Sequence, residues 1–150
     1  MKHQILGDIT REDDDGVAKV PYRGQTINMR IIADEIPYDA AVDVAASVFK
    51  DLANLDARAK QIAACELTDT YNSGWNEYDE AQEDGTLRPV SSPKLTQEEF
   101  ASKLTPNAVN VTGDMIDLFY DDEGMFWGHS VIVTSMDGTA FTDTHARIFG

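Results

Sequence analysis

A chain of 150 residues with 27 Asp and Glu against 12 Lys and Arg carries a formal net charge of −15. Such a field repels nucleic acid and anionic membrane and attracts basic partners. Hydrophobic residues at 42% are too many for a disordered acidic chain, and the length suits one domain, residues 1–150. The acidity is uneven: residues 1–75 hold 13 acids and 8 bases, a net of −5, and residues 76–150 hold 14 acids and 4 bases, a net of −10. With Cys65 the single cysteine, no internal disulfide forms, and a reducing cytoplasm is the expected compartment. The first residues make no signal-peptide run, and no window approaches the ~20 apolar residues of a membrane span.

The first third reads as strands. Ile5 and Leu6 begin a short one, Glu12 to Gly16 makes a charged turn, and Val17 to Tyr22 a second strand. Arg23-Gly24 turns the chain into a third, Thr26 to Ala33, where Ile27, Met29 and Ile31 share a buried face and Thr26, Asn28 and Arg30 a wet one. Asp39 is placed to cap a helix over about 40–53, with Ala41, Val44, Ala45, Val48, Phe49 and Leu52 on its apolar side. Asn54-Leu55 reads as a break, Asp56 as the cap of a second helix, and Gly74 as its end.

Residues 76–93 form an expected exposed loop, mobile in part, holding Glu77, Asp79, Glu80, Glu83 and Asp84. Thr96 and Glu99 match a capping box for a short helix that stops before Pro106. Strands follow at about 108–111, 115–120, 126–135 and 139–148, and Asp137-Gly138 signals a two-residue hairpin turn. The order β-β-β-α-α-α-β-β-β-β implies an α+β fold: an antiparallel sheet with a helical layer on one face.

The run Gly124-Met125-Phe126-Trp127-Gly128-His129-Ser130-Val131-Ile132-Val133 resembles a bacterial family, the domain of unknown function 2262 family. Ile5-Leu6-Gly7, the strand pair around Tyr22 to Ile31, the helical block ending near Trp75, the Leu95-Thr96 to Phe100 helix start and the final Ala146 to Gly150 fit the same pattern. The resemblance spans nearly the whole chain. It implies the fold and brings no activity, cofactor or catalytic residue with it.

Candidate chemistry centres on His129. A two-residue turn pairs position i with 275 − i, so His129 faces Ala146 and Val131 faces Thr144, which groups apolar side chains on one face and Asp143, His145 and Arg147 on the other. A three-residue loop would set His129 against His145 as a metal pair, but would put Asp143 and Arg147 on the apolar face, which is costly. His129 then reads as a buried or half-buried histidine hydrogen-bonded to the helical layer. A catalytic alternative joins it to Asp143 or Asp117 in a small hydrolase-like enzyme. Calcium-loop spacing fails around Asp13-Asp15 and around Asp121-Asp122, and no zinc spacing exists, so neither metal nor cofactor is expected. Cys65 reads as a small buried thiol. Ser130 points away from His129 on a strand, and no nucleophile elbow is present.

Trp75 and Tyr78 flank the acidic loop and, with Glu77, Asp79, Glu80, Glu83 and Asp84, suit a face that holds a basic protein. Against this, Tyr71 and Trp75 at i and i+4 also suit plain packing on the sheet. The leading expectation is a non-enzymatic binding protein, immunity-protein-like or inhibitor-like, with a basic protein partner and neither nucleic acid nor membrane. A polyanion mimic that occupies a nucleic-acid-binding protein is a further alternative.

Overall fold

Alternation of apolar and polar residues builds most of the sheet. The computed structural model describes residues 2–150. Strands β1 (Lys2–His3), β2 (Gly7–Glu12), β3 (Asp15–Tyr22) and β4 (Gln25–Ile32) form an antiparallel meander. In β4, Ile27, Met29 and Ile31 are fully buried, as their period-two spacing requires. Ile5 and Leu6, expected to start a strand, instead lie in the turn between β1 and β2.

Helices α1 (Tyr38–Lys50) and α2 (Leu52–Thr70) follow, parted at Asp51 rather than at Asn54. Asp39 sits inside the first turn of α1, behind Pro37, and α1 has no side-chain cap bond. Helix α2 runs on through a wider turn, Tyr71–Trp75, inside which Gly74, the expected end, leaves helical geometry with φ of 156°. The segment expected to be a loop is instead a hairpin, with β5 (Glu77–Ala81) pairing antiparallel with β6 (Leu87–Ser91). Its ten residues are almost all exposed, so no buried face announces it in the sequence.

Helix α3 (Gln97–Ser102) begins with the expected capping box, Thr96 Oγ1 accepting from the Glu99 amide at 3.2 Å and Glu99 Oε1 from the Thr96 amide at 3.1 Å. Strands β7 (Thr105–Thr112), β8 (Met115–Asp121), β9 (Ser130–Ser135) and β10 (Thr144–Phe149) complete an eight-stranded sheet in the order β1-β2-β3-β4-β7-β8-β9-β10. The fold is α+β, mostly antiparallel, with one departure: β4 and β7 are parallel. Parallel neighbours need a long crossover, and residues 33–104, with the three helices and the hairpin, supply it.

One hydrophobic cluster joins the sheet to the helices, with Val20, Ile27, Leu55, Ala59, Ala63, Phe100, Val109, Leu118, Phe126 and Val133 among its members. A carboxylate lies inside it. Asp56, expected to cap a helix end, is in the second turn of α2 and 1% exposed. It accepts from Tyr120 Oη at 2.7 Å and Tyr22 Oη at 2.9 Å, and Lys60 Nζ lies 3.3 Å away. The pair is satisfied, which is what lets a charge persist there.

The β9–β10 hairpin keeps the expected faces but not the expected register. Thr144 pairs with Ser135, Ala146 with Val133 and Ile148 with Val131, a sum of 279 rather than 275. The reason is the connection. Asp137 does not open a tight turn; its carboxylate accepts from the Thr142 and Asp143 amides at 3.1 and 3.2 Å, from Ser135 Oγ at 3.1 Å and from Thr142 Oγ1. The enlarged loop buries Phe141, held in the left-handed region at φ 59°. Arg58 lies 5.1 Å from its ring and donates to its carbonyl at 3.2 Å. Cys65, expected to be buried, is exposed on α2, because Ala63, Ala64 and Leu67 take the buried face.

Candidate functional site

The region singled out in the sequence becomes a defined surface. The β8–β9 connection, residues 122–129, is drawn tight by Asp122, whose carboxylate accepts from the Gly124 amide at 3.0 Å and the Phe126 amide at 3.3 Å. Burial pushes the Asp122 carboxyl above the usual range, against these same hydrogen bonds. Phe126 drops fully into the core, edge-on to Tyr71 at 6.0 Å, Trp75 at 5.3 Å and Phe100 at 6.1 Å.

The next residue goes the other way. Trp127 takes φ of 56° and is 56% exposed, followed by Gly128 at φ 91°. A bulky residue in the left-handed region costs free energy, of order 1–3 kcal/mol, and persists only where its surroundings hold it. Trp75 holds it here: the two indoles lie 4.6 Å apart at 53°, and Trp127 Nε1 donates to the Trp75 carbonyl at 3.1 Å. Trp75 is half-buried, so it both packs, as the i, i+4 spacing with Tyr71 allows, and supports an exposed ring.

Opposite Trp127 stands the hairpin. Its base is fastened by Asn76, whose amide side chain donates to the Ser92 carbonyl at 3.0 Å, and by Asn72, which exchanges two 2.9 Å bonds with Leu95. An open groove of about 980 Å3 lies between them, lined by Trp127, Tyr78, Pro89, Val90, Ser91, Glu77 and Asp79. A second groove of about 480 Å3 adjoins it, where Trp75, Tyr78 and Trp127 meet Glu99, Glu123 and Lys103. Tyr78 is 45% exposed. Of the residues expected to bind a partner, Glu77, Tyr78, Asp79 and Trp75 therefore line these grooves. Glu80 lies across the hairpin from Arg88, 3.2 Å away. Glu83 and Asp84 lie at the distal turn, where Asp84 accepts from the Thr86 amide and hydroxyl at 3.0 and 2.6 Å. Those bonds hold the Asp84 carboxyl below its ordinary value.

His129 is half-buried and set edge-on to Trp75 at 5.8 Å. It meets the helical layer through a ring contact and not through the expected hydrogen bond, and it lies before β9 rather than within it. The two carboxylates of the catalytic alternative lie elsewhere. Asp117 accepts from Thr134 Oγ1 at 2.5 Å, near the far end of β9, ~17 Å along the strand. Asp143 lies 3.5 Å from His145, and His145 is also 3.6 Å from Glu66. The structure thus gathers carboxylates around His145, 75% exposed on its side chain, and not around His129. His145 pairs across the sheet with Thr134, so the two histidines do not face each other.

Residues 14–145 match a family described as an uncharacterized protein conserved in bacteria (DUF2262). The chain belongs to it. Neither curated proteins nor solved structures gave a match. In this DUF2262 member, the sequence places Trp127 in the strand expected over 126–135 and not among the partner-binding residues; the structure puts it before β9, in an exposed turn. Val90 and Pro89 carried no signal, because a short polar strand with proline does not look like the wall of a groove. Among the described residues no helix is long and apolar enough to cross a membrane.

Proposed function

We propose that this protein is a non-enzymatic binding domain, immunity-protein-like or inhibitor-like, that takes a basic segment of a protein partner between Trp127 and the acidic hairpin. The observation that supports this reading is the exposed Trp127 indole, held at an unfavourable backbone angle against Trp75 and facing a groove rimmed by Glu77 and Asp79. Rigid aromatic rings supply contact area at little entropic cost and attract cations over their faces. Carboxylates around them select positive charge and speed encounter in a field of −15. The solitary, exposed Cys65 suits a reducing compartment, and we place the protein in the cytoplasm.

The test uses an end-blocked heptapeptide of alternating lysine and valine, followed by tryptophan fluorescence at low and at physiological salt. Binding should shift the emission, weaken as salt rises, and fall by tenfold or more in Trp127→Ala, the scale of an aromatic anchor. Equal affinity in wild type and Trp127→Ala, or no binding at all, overturns the reading.

A further inference from the structure

Strand edges expose unpaired backbone groups, and proteins ordinarily block them. In this protein the outer edges of β6 and β10 are each interrupted at their middle outward position, and that of β5 is not. Hydrogen bonds from the Gln82 amide to the Thr86 carbonyl at 2.8 Å and from the Ser92 amide to the Asn76 carbonyl at 2.7 Å bracket the small hairpin. With Tyr78 opposite Val90 and Glu80 opposite Arg88, alternation makes those two pairs the hydrogen-bonded ones. The N–H and C=O groups of residues 77, 79 and 81 on β5, and of 87, 89 and 91 on β6, therefore point away from the hairpin. On β6 the middle position is Pro89, which has no N–H to offer. On β10, the edge of the large sheet, the outward Ala146 amide is taken by Glu66 Oε1 at 3.3 Å. On β5 no proline intervenes, and Glu77, Tyr78, Asp79, Glu80 and Ala81 are all exposed.

We infer that β5 is a docking edge, on which an extended basic segment of the partner adds as a third strand; this rests on the function proposed above. Charge selects the occupant. Three of the five β5 residues, Glu77, Asp79 and Glu80, are acidic. A second copy of β5 would set like charges side by side, which is unfavourable, whereas a basic strand is attracted. Glu77 and Asp79 share one face of β5, with Tyr78 on the other. The matching segment carries Lys or Arg at every second position and an apolar side chain between them, which then lies on the Tyr78 side.

The test separates backbone pairing from charge. The lysine-valine heptapeptide is compared with two N-methylated forms, one methylated on its lysines and one on its valines. A strand offers alternate N–H groups to its neighbour, so one methylated form should bind tenfold or more weakly and the other within about twofold of the parent. Amide hydrogen exchange should slow at Glu77, Asp79 and Ala81 on adding the parent peptide, and not at Leu87 or Ser91. If the parent binds through Trp127 but both methylated forms match it, or both weaken alike, strand addition is wrong and the groove reading stands. If the parent does not bind, both fail together.

Discussion

Removing the Asp56 carboxylate tests how this core tolerates a charge. In Asp56→Ala, the Tyr120 hydroxyl loses its 2.7 Å acceptor and keeps only a long 3.5 Å contact to the residue-56 carbonyl, which leaves it close to unsatisfied in a site with no exposure. An unsatisfied buried hydroxyl costs about 1–3 kcal/mol. Tyr22 loses its 2.9 Å bond but is 9% exposed and reaches water, at a cost of about 1 kcal/mol. Lys60 is on the outer side of the pair, 24% exposed on its side chain, and swings into solvent. Relief of the carboxylate's own desolvation offsets part of the loss, and because no buried charge is left unpaired the total falls at the low end of the ~3–5 kcal/mol of a broken buried pair. About 3 kcal/mol is expected here. With an m-value of about 2 kcal/mol/M, the urea midpoint falls by roughly 1.5 M. Tyr120→Phe alone should cost less, and in the double variant Asp56→Ala/Tyr120→Phe the loss should fall short of the sum by about 1 kcal/mol or more. A midpoint change under about 0.5 M in Asp56→Ala, or strict additivity with Tyr120→Phe, refutes the argument that the carboxylate is held by its phenols.

The same network sets an alkaline limit. Burial first, then the hydrogen bond and the charge of Asp56, raise the Tyr22 phenol from 10.0 to about 12, and burial and Asp56 raise Tyr120 further. A raised phenol favours the protonated folded form, so this contribution is complete below pH 10 and is lost as pH climbs through about 12. Urea midpoints should decline over that window with tyrosinate absorbance appearing as the fold is lost; an unchanged midpoint to its upper end refutes it. Tyr38 should behave oppositely to Tyr120. Its hydroxyl is buried without a partner and sits where a Cβ on Gly16 would approach to 2.7 Å, so Tyr38→Phe should be neutral or stabilising by up to about 1 kcal/mol in the same melts. Destabilisation beyond about 1 kcal/mol would show that the hydroxyl does have a partner.

Much of the scaffold is legible in residue spacing, because burial on one face imposes a period. Ile27, Met29 and Ile31 announce β4, and Thr96 with Glu99 announces α3 through a purely local exchange of hydrogen bonds. What escapes the sequence depends on partners distant in the chain. Asp56 looks like a cap until Tyr22, Tyr120 and Lys60 converge on it. Asp137-Gly138 looks like a tight turn until Phe141 finds a place in the core under Arg58 and moves the register by four. The hairpin at β5 and β6 has no buried face and therefore no period to read. At the candidate site, Trp127 reads in the sequence as one more residue of an expected strand, and its outward stance follows from Phe126, one residue earlier, taking the buried position.

The parallel pairing of β4 with β7 explains why the grooves form where they do. A parallel neighbour must start at the same end of the sheet as β4, so the crossover has to return to that end before Thr105. Strand β8 runs antiparallel to β7, with Asp121 beside Thr105, so the β8–β9 connection leaves the sheet at the same end. The returning crossover and this connection are thereby forced together, and the contact of Phe100 with Phe126 and of Trp75 with Trp127 is where they meet. The hairpin hangs from that junction through Asn72 and Asn76, outside the core. Its exposed residues contribute little burial, so their chemistry is free to follow a partner while the stability of the fold stays with the sheet, α2 and Asp56.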